Sequence, residues 1–162
     1  MTLKAFYESV WERKLNDGAW LAQDGRGRVE YAVKLLQSLP NIQDLSLLDI
    51  GCGRGTLGRM LGKDKDVFGV DISQAAIAQA ASVYAEARAV NLNEEPLPFG
   101  DACFDACAML DVIEHVLDPA RVLGEVHRCL KPGGVLVLST PNILWWARLR
   151  DMLVRRRFPK TR

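Results

Sequence analysis

Ser46-Leu47-Leu48-Asp49-Ile50-Gly51-Cys52-Gly53-Arg54-Gly55 joins a short apolar run to a glycine-rich turn. The run at 46–50 has the length and composition of a buried strand, and a helical pattern follows the turn. Glycine tolerates left-handed backbone and lets a ligand approach the main chain closely. Three alternating glycines are more than a simple chain reversal requires. Because open parallel sheets bind ligands at the carboxyl ends of their strands, the turn predicts a ligand site there.

Apolar runs and helical patterns alternate on both sides of this stretch. The helical pattern 28–39 stops at Pro40, and Ser73 and the pair Asp118-Pro119 are expected to begin two later helices. The apolar faces of the helices include Met60 and Leu123. Strands are expected at 46–50, 67–70, 88–92, 104–110 and 135–138, helices at 28–39, 56–63, 73–85 and 118–130, and a turn at 131–134. This alternation indicates an α/β fold, a Rossmann-like doubly wound parallel sheet covered on both faces.

Composition describes one ordinary folded domain. The chain has 162 residues, 49% of them hydrophobic and 25% charged, which excludes global disorder. No apolar run is long enough to cross a membrane, and no signal peptide is visible at the N-terminus. The four cysteines form no CxxC pair and only two histidines are present, so no metal site is expected. Reduced cysteines, acting as small buried apolar residues, point to a cytoplasmic location.

Charge is distributed unevenly. From residue 143 onward there are seven basic residues and one acid, a net charge of +6, whereas the rest has 14 basic and 19 acidic residues, a net charge of −5. Nucleic acid is therefore not an expected partner of the body of the protein. Segment 143–162 has the pattern of a basic amphipathic helix. A helix packed on the sheet or a lid is favoured over peripheral membrane contact.

The glycine turn also contains a competing motif. Gly53, Gly55 and Gly58 have the GxGxxG spacing of dinucleotide-binding proteins, with Asp71 downstream. However, that pattern would begin two residues after the expected end of the strand. Asp49 would in addition repel a pyrophosphate but not a cationic ligand. A nicotinamide-dependent oxidoreductase thus remains an alternative.

Five ordered segments together carry a family resemblance. They are LDIGCGRG, VFGVDIS, NLNEEPLPF, FDACAMLDVIEHVLDP and LKPGGVLVLSTPN. Over about residues 45–142 the chain resembles class I S-adenosylmethionine-dependent methyltransferases, in particular the group with ubiquinone-biosynthesis O-methyltransferases and MetW-like proteins. The resemblance implies the strand order 3-2-1-4-5, S-adenosyl-L-methionine as cofactor, S-adenosyl-L-homocysteine as product, and a small-molecule acceptor with an O, N or C nucleophile. A non-catalytic cofactor-binding partner protein of MetW-like type is the second alternative.

The resemblance also assigns the cofactor side of the site residue by residue. The loop beneath the methionine part would be formed by Gly51, Cys52, Gly53 and Gly55, with Asp49 organising it. Asp71 would accept hydrogen bonds from both ribose hydroxyls, since a carboxylate offers two acceptor oxygens; capping the next helix is its alternative role. Residues beside the adenine would be Ile72, Asn91 and Leu92. Asn91 stands where the family commonly has an aspartate, and its amide oxygen would accept from the adenine amino group, with Asn93 as a substitute or an ordinary polar loop as the alternative.

On the acceptor side the resemblance names three residues. Leu110 and Asp111 would border the cofactor and the acceptor. His115 is the candidate catalytic base, because an imidazole can take a proton from a hydroxyl or amine near neutral pH. Contact with the cofactor or simple packing is its alternative role, since methyl transfer depends more on in-line geometry than on a base. The position of Phe6, Tyr7, Trp11 and Trp20 suggests that they line the acceptor side.

The expected organisation has three parts. Residues 1–44 would form an N-terminal helical cap, 45–142 the cofactor-binding core, and 143–162 the basic segment. The family fold continues with two more strands after the fifth, which 20 residues cannot supply. We therefore expect a chain truncated after the fifth strand.

Overall fold

The computed structural model describes residues 2, 4–6, 8–10, 26–62 and 66–142. The expectations for Tyr7, Trp11, Trp20 and segment 143–162 fall outside the described residues and stay predictions. Residues 4–6 and 8–10 have helical backbone.

Five parallel strands form one sheet in the order β3-β2-β1-β4-β5, which confirms the predicted doubly wound α/β architecture. The strands are β1 (Leu47–Ile50), β2 (Val67–Asp71), β3 (Glu86–Ala89), β4 (Phe104–Leu110) and β5 (Leu130–Ser139). The helices are α1 (Arg26–Gln37), α2 (Thr56–Leu61), α3 (Gln74–Ala80) and α4 (Pro119–Cys129), with short 3-10 turns at Ile42–Asp44 and Ile113–His115.

Two apolar clusters cover the two faces of the sheet. Leu48 and Ile50 of β1 belong to the cluster that includes buried residues of α4, whereas Leu47 belongs to the cluster that includes buried residues of α1, α2 and α3. Successive side chains of a strand point to opposite faces. Asp49 therefore lies on the same face as Leu47, beneath α1, α2 and α3.

The predicted starts of α3 and α4 are confirmed. The Ser73 hydroxyl accepts a hydrogen bond from the Ala76 backbone N–H at 3.3 Å, and the Asp118 carboxylate accepts one from the Arg121 N–H at 3.0 Å. The assignment of Met60 and Leu123 to buried faces was wrong, because both are 37% exposed. In α2 and α4 the buried side chains recur every three or four residues along one face of the helix, and Met60 and Leu123 lie at the edge of that face. The large or sulfur-containing side chains buried on these faces are those of Leu57, Leu61, Val122, Val126 and Cys129.

Several boundaries differ from the sequence expectation by one or two residues, as in α1, which is Arg26–Gln37 rather than 28–39, and three differences are larger. The third strand is Glu86–Ala89 rather than 88–92, and α3 ends at Ala80 rather than near 85. The turn expected at 131–134 lies inside β5. Phe104 pairs with Leu130 and Ala106 with Val135, so residues 131–134 bulge opposite a single residue of β4.

All four cysteines are free, but only three of them are the buried apolar residues that we expected. Cys103 is exposed, because it lies in the loop that precedes β4. Within the described ranges, no cluster of His, Cys, Asp and Glu could hold a metal ion. No helix among the described residues is long and apolar enough to cross a membrane.

Candidate functional site

The loop after β1 has the left-handed backbone that its glycines predict. Gly51, Gly53 and Gly55 have φ values of +74°, +53° and +82°. The loop is fixed to the neighbouring strand, because the N–H groups of Gly51 and Cys52 both donate to the Val70 carbonyl, at 2.8 and 3.0 Å. The positive φ values explain why glycine is required at these three positions.

Side chains at Gly51 and Gly55 would meet protein atoms. A Cβ at Gly51 would overlap the Val112 side chain, and one at Gly55 would lie 3.2 Å from Cβ of Val83. The loop therefore packs against the turn after β4 on one side and against the end of the α3 segment on the other. Close approach of a cofactor is thus not the only reason for glycine at these two positions.

Asp71, at the end of β2, is buried and joined to the glycine loop. One carboxylate oxygen accepts from the Gly53 N–H at 2.9 Å and the other from the Ser73 N–H at 2.9 Å. Burial raises the pKa of Asp71, and these two N–H donors partly offset that rise. The residue that caps α3 is Ser73, so helix capping is not the role of Asp71. Each carboxylate oxygen has a second lone pair, which leaves capacity for two more donors.

Glu8 contacts the start of α3, close to Asp71. Its carboxylate accepts from the Ser73 hydroxyl at 2.8 Å and from the Gln74 N–H at 2.6 Å. Burial raises the pKa of Glu8, but these hydrogen bonds lower it by more, so that the net shift is downward. Its charge also contributes to the raised pKa of Asp71. The sequence reasoning missed Glu8, since nothing in the local pattern distinguishes it from other surface glutamates.

Asn91 follows β3 and is 7% exposed. Its amide oxygen, which we expected to be available to an adenine amino group, accepts from the Asn93 N–H at 3.2 Å. No acceptor for its amide N–H groups is found among the described residues, so Asn91 presents a buried donor. The Asn93 oxygen accepts from the Leu117 N–H at 2.7 Å and joins this loop to the segment before α4. The Leu92 carbonyl accepts from the Arg121 guanidinium.

Two of the hydrophobic candidates, Ile72 and Leu110, are partly buried. Ile72 directly follows Asp71 at the end of β2, and Leu110 is the last residue of β4. Both therefore lie at the carboxyl ends of central strands, where a ligand site is expected.

Asp111 follows β4 with φ +55°, an uncommon conformation for a residue other than glycine. Its carboxylate pairs with the Arg28 guanidinium at 2.6 Å and accepts from the Ser139 hydroxyl at 2.8 Å. Asp111 thus connects β4 to α1 and to the end of β5. Backbone strain of this kind is concentrated at functional sites.

His115 lies at the end of the 3-10 turn that follows Asp111. Its side chain is 44% exposed, and Nε2 lies 3.9 Å from the Glu114 carboxylate. The backbone N–H of His115 donates to the Val112 carbonyl at 2.9 Å. Because Val112 packs against Gly51, the turn that carries His115 adjoins the glycine loop.

Asp49 lies beneath the glycine loop and is 4% exposed. Its carboxylate accepts from the Tyr84 hydroxyl at 2.5 Å. Burial raises the pKa of Asp49 to about 7, the Tyr84 hydrogen bond opposes that rise, and the charge of Asp71 adds to it. Burial also raises the pKa of the neighbouring Cys52 thiol, which therefore stays protonated at neutral pH. Cys52 therefore packs within the loop as a neutral thiol.

Residues 48–138 match the model of a protein family described as a methyltransferase domain. A probable S-adenosylmethionine-dependent methyltransferase from Mycolicibacterium smegmatis is 39% identical over 109 residues, which cover 65% of this chain and 41% of the relative. A ubiquinone biosynthesis O-methyltransferase from Alkalilimnicola ehrlichii is 34% identical over 122 residues, which cover 71% of this chain and 48% of the relative. The chain thus spans less than half the length of either curated relative.

Solved structures share the fold. A methyltransferase from Mesorhizobium loti, described as S-adenosylmethionine-dependent, has a TM-score of 0.59 and is 28% identical, covering 70% of this chain and 53% of its own. The [4+2]-cyclase SpnF has a TM-score of 0.58 and is 26% identical, covering 68% of this chain and 44% of its own. The fold alone therefore does not specify methyl transfer.

Proposed function

Because the chain belongs to the methyltransferase-domain family, whose cofactor is S-adenosyl-L-methionine, we propose that it transfers a methyl group to an O, N or C nucleophile of a small molecule. The observation that carries the proposal is the hydrogen bond between Gly53 and Asp71. It joins the left-handed glycine loop to a buried carboxylate at the carboxyl end of the sheet.

The chemistry of the donor set fits this cofactor. When bound, S-adenosyl-L-methionine supplies an electrophilic methyl group on a sulfonium centre. The remaining lone pairs of Asp71 would accept from the ribose hydroxyls. Gly51, Gly53 and Gly55 would hold the methionine part, and Asp49 would supply negative charge beneath it.

The adenine would lie beside Ile72, Asn91 and Leu92. The buried N–H groups of Asn91 have no acceptor among the described residues, and a buried donor without a partner is costly. A ring nitrogen of a purine is an acceptor of the required kind. In this chain Asn91 would therefore donate to the adenine, and the second lone pair of its amide oxygen would still be available to the adenine amino group.

The acceptor would lie on the side of Leu110, Asp111 and His115. Partial exposure of His115 leaves its imidazole accessible to a hydroxyl or amine acceptor, for which it would be the base. Asp111 is tied to α1 and β5 and would fix the shape of this side. Positioning of the acceptor in line with the transferred group would contribute most of the rate.

Electrostatics support a cationic cofactor over a dinucleotide. Asp49 is buried beneath the glycine loop, where a dinucleotide would place its pyrophosphate. A carboxylate at this place would repel a pyrophosphate and attract a ligand with a positive charge. Asp71 does not distinguish the two cofactors, because an acid at the end of the second strand suits the ribose of either. Free cysteines within the described ranges fit a reducing compartment, so we place the protein in the cytoplasm.

Isothermal titration calorimetry tests the cofactor proposal. The 162-residue chain is titrated with S-adenosyl-L-homocysteine and separately with NAD⁺. We expect binding of the former only, loss of binding in Asp71→Ala, and unchanged binding in Asp44→Ala, which removes an exposed carboxylate. Tight NAD⁺ binding without S-adenosyl-L-homocysteine binding would contradict the proposal and support the oxidoreductase alternative.

A cofactor-binding protein without transferase activity is the second candidate. The observation that favours it is the shared fold of SpnF, which is named as a [4+2]-cyclase and not as a methyltransferase. Candidate acceptors are incubated with S-adenosyl-L-methionine and the wild-type chain, and release of S-adenosyl-L-homocysteine is measured. If the chain binds the cofactor but releases no S-adenosyl-L-homocysteine with any of the acceptor classes, the second candidate is favoured.

A further inference from the structure

We propose that Tyr84 is a positioning residue for the glycine loop, whose hydroxyl holds both ends of the loop and thereby sets the affinity for the cofactor. The inference rests on the proposed function, because cofactor affinity is one of its readouts. Tyr84 lies between α3 and β3, outside the five segments that carry the family resemblance, and is 5% exposed.

Two glycines make room for the Tyr84 ring. A Cβ at Gly58 in α2 would overlap the ring, and a Cβ at Gly69 in β2 would lie 2.6 Å from its Cδ2. Neither residue has a positive φ, so backbone conformation does not require glycine at either position. Glycine is unfavourable in the interior of helices and strands. The ring explains glycine at position 58, and the ring together with the Cys52 sulfur, which would lie 2.8 Å from a Cβ, explains it at position 69.

The contact between Gly58 and Tyr84 gives a structural reason for one glycine of the GxGxxG motif. Gly58 is the third glycine of the GxGxxG pattern that suggested a dinucleotide. In the structure this position adjoins Tyr84. The spacing is therefore accounted for by packing within the protein.

The Tyr84 hydroxyl makes two hydrogen bonds on opposite sides of the glycine loop. It donates to the Asp49 carboxylate at 2.5 Å, just before the loop, and accepts from the Gly58 N–H at 3.2 Å, just after it. Gly58 is in the first turn of α2, where N–H groups lack intrahelical partners. The residue at the N-cap is Gly55, which has no side chain to accept from them. Tyr84 supplies the missing acceptor from another part of the chain.

The hydroxyl also influences the charge of Asp49. The titratable groups around Asp49 are Tyr84, Asp71 and Cys52. Burial raises the pKa of Asp49 to about 7, and the Tyr84 donor is the contact that opposes this rise. Without that donor, Asp49 would be protonated over a wider pH range. S-adenosyl-L-methionine and S-adenosyl-L-homocysteine both carry an amino-acid ammonium group, so protonation of Asp49 would weaken the binding of either.

Tyr84→Phe tests the inference, because phenylalanine keeps the ring in its slot and removes only the hydroxyl. We expect the affinity for S-adenosyl-L-homocysteine to fall about tenfold near neutral pH, as for loss of a hydrogen bond to a charged group. The pH at which affinity reaches half of its plateau should rise. Tyr31→Phe is the matched control, since Tyr31 is 64% exposed. In an Asp49→Asn background, Tyr84→Phe should no longer change the pH dependence of affinity, because only the contact with Gly58 is then lost with the hydroxyl.

A second measurement is independent of the ligand. The titration of the Asp49 carboxyl carbon is followed by NMR in the wild type and in Tyr84→Phe, and its midpoint should move upward in the variant. An unchanged midpoint, or an affinity loss in Tyr84→Phe that is the same at every pH, would overturn the inference. If the wild type fails to bind S-adenosyl-L-homocysteine, the proposed function fails, whereas the NMR titration still decides whether Tyr84 controls Asp49.

Discussion

The backbone N–H of Gly53 donates to the carboxylate of Asp71 at 2.9 Å, so one buried hydrogen bond joins the glycine loop to the end of β2. The second carboxylate oxygen is held by the Ser73 N–H. Asp71 therefore has a structural role that exists before any ligand binds. A substitution at this position should affect both folding and binding.

Asp71→Asn should weaken both folding and binding, and the two losses are measured separately. Asparagine has one acceptor oxygen, so one of the two backbone N–H donors would face the amide NH₂ group. An unsatisfied buried donor costs about 1–3 kcal/mol, and we expect the free energy of unfolding in urea to fall by that amount. Affinity for S-adenosyl-L-homocysteine should fall at least about tenfold. Asp44→Asn, at an exposed position, is the control. Full retention of affinity in Asp71→Asn would argue against a ribose contact.

Gly51→Ala should cost more stability than Gly62→Ala. Both residues have positive φ, +74° and +65°, and a left-handed alanine costs about 1–2 kcal/mol. A Cβ at Gly62 meets nothing within 4 Å, whereas one at Gly51 overlaps Val112, which should add about 1–3 kcal/mol. Urea unfolding measures the difference. The double variant Gly51→Ala/Val112→Ala should recover part of it, and equal costs for the two single variants would contradict the packing argument.

Much of the sheet was predictable because its central strands are short, continuous apolar runs. β4 was placed at its observed bounds, and the left-handed loop followed from three alternating glycines. β3 was misplaced because Glu86-Ala87-Arg88-Ala89 has no apolar run to mark it. The bulge in β5 was interpreted as a turn because Pro132-Gly133-Gly134 has the composition of one.

The candidate site was predictable only where its residues follow strand ends. Asp71 and Asp111 could be located in this way, since a doubly wound sheet gathers the carboxyl ends of its strands at one edge. Glu8 and Tyr84 could not, because their partners lie 65 and 35 residues away along the chain. Such contacts are created by tertiary packing and leave no periodic signal. The one sequence trace of Tyr84 is the pair of glycines at 58 and 69.

Asp49→Asn should flatten the dependence of stability on pH. The pKa of Asp49 is raised from 3.8 to about 7 in the folded protein, so the folded state binds its proton more tightly than the unfolded state does. The free energy of unfolding should therefore fall as the pH rises from about 4 to about 7 and stay low above that range. Asparagine carries no such proton. Asp71, whose pKa is also raised, keeps part of the slope in the variant.

Thermal unfolding at about pH 5 and about pH 8 measures this effect. The difference in Tm between the two pH values should be smaller in Asp49→Asn than in the wild type. Asp44→Asn, at an exposed position, should leave the wild-type difference in place. A variant with the same difference as the wild type would show that Asp49 is ionised in both states.

Arg28 and Asp111 should be energetically coupled, since their side chains form an ion pair of 2.6 Å between α1 and the end of β4. The Arg28 side chain is 42% exposed, so the coupling should be modest, about 0.2–1 kcal/mol. A double-mutant cycle with Arg28→Ala and Asp111→Asn measures it by urea unfolding. Asparagine suits the cycle because it tolerates the positive φ of Asp111 and can still accept from Ser139.

A second cycle with Arg28→Ala and Asp101→Asn provides the control, because the Asp101 carboxylate pairs with Arg128 instead. Its two substitutions should be additive. The coupling in the first cycle should decrease at high salt, as expected for a partly exposed ion pair. Additivity in both cycles would mean that α1 is held against the sheet by its buried apolar residues alone. The strained backbone of Asp111 would then need another explanation, such as contact with the acceptor.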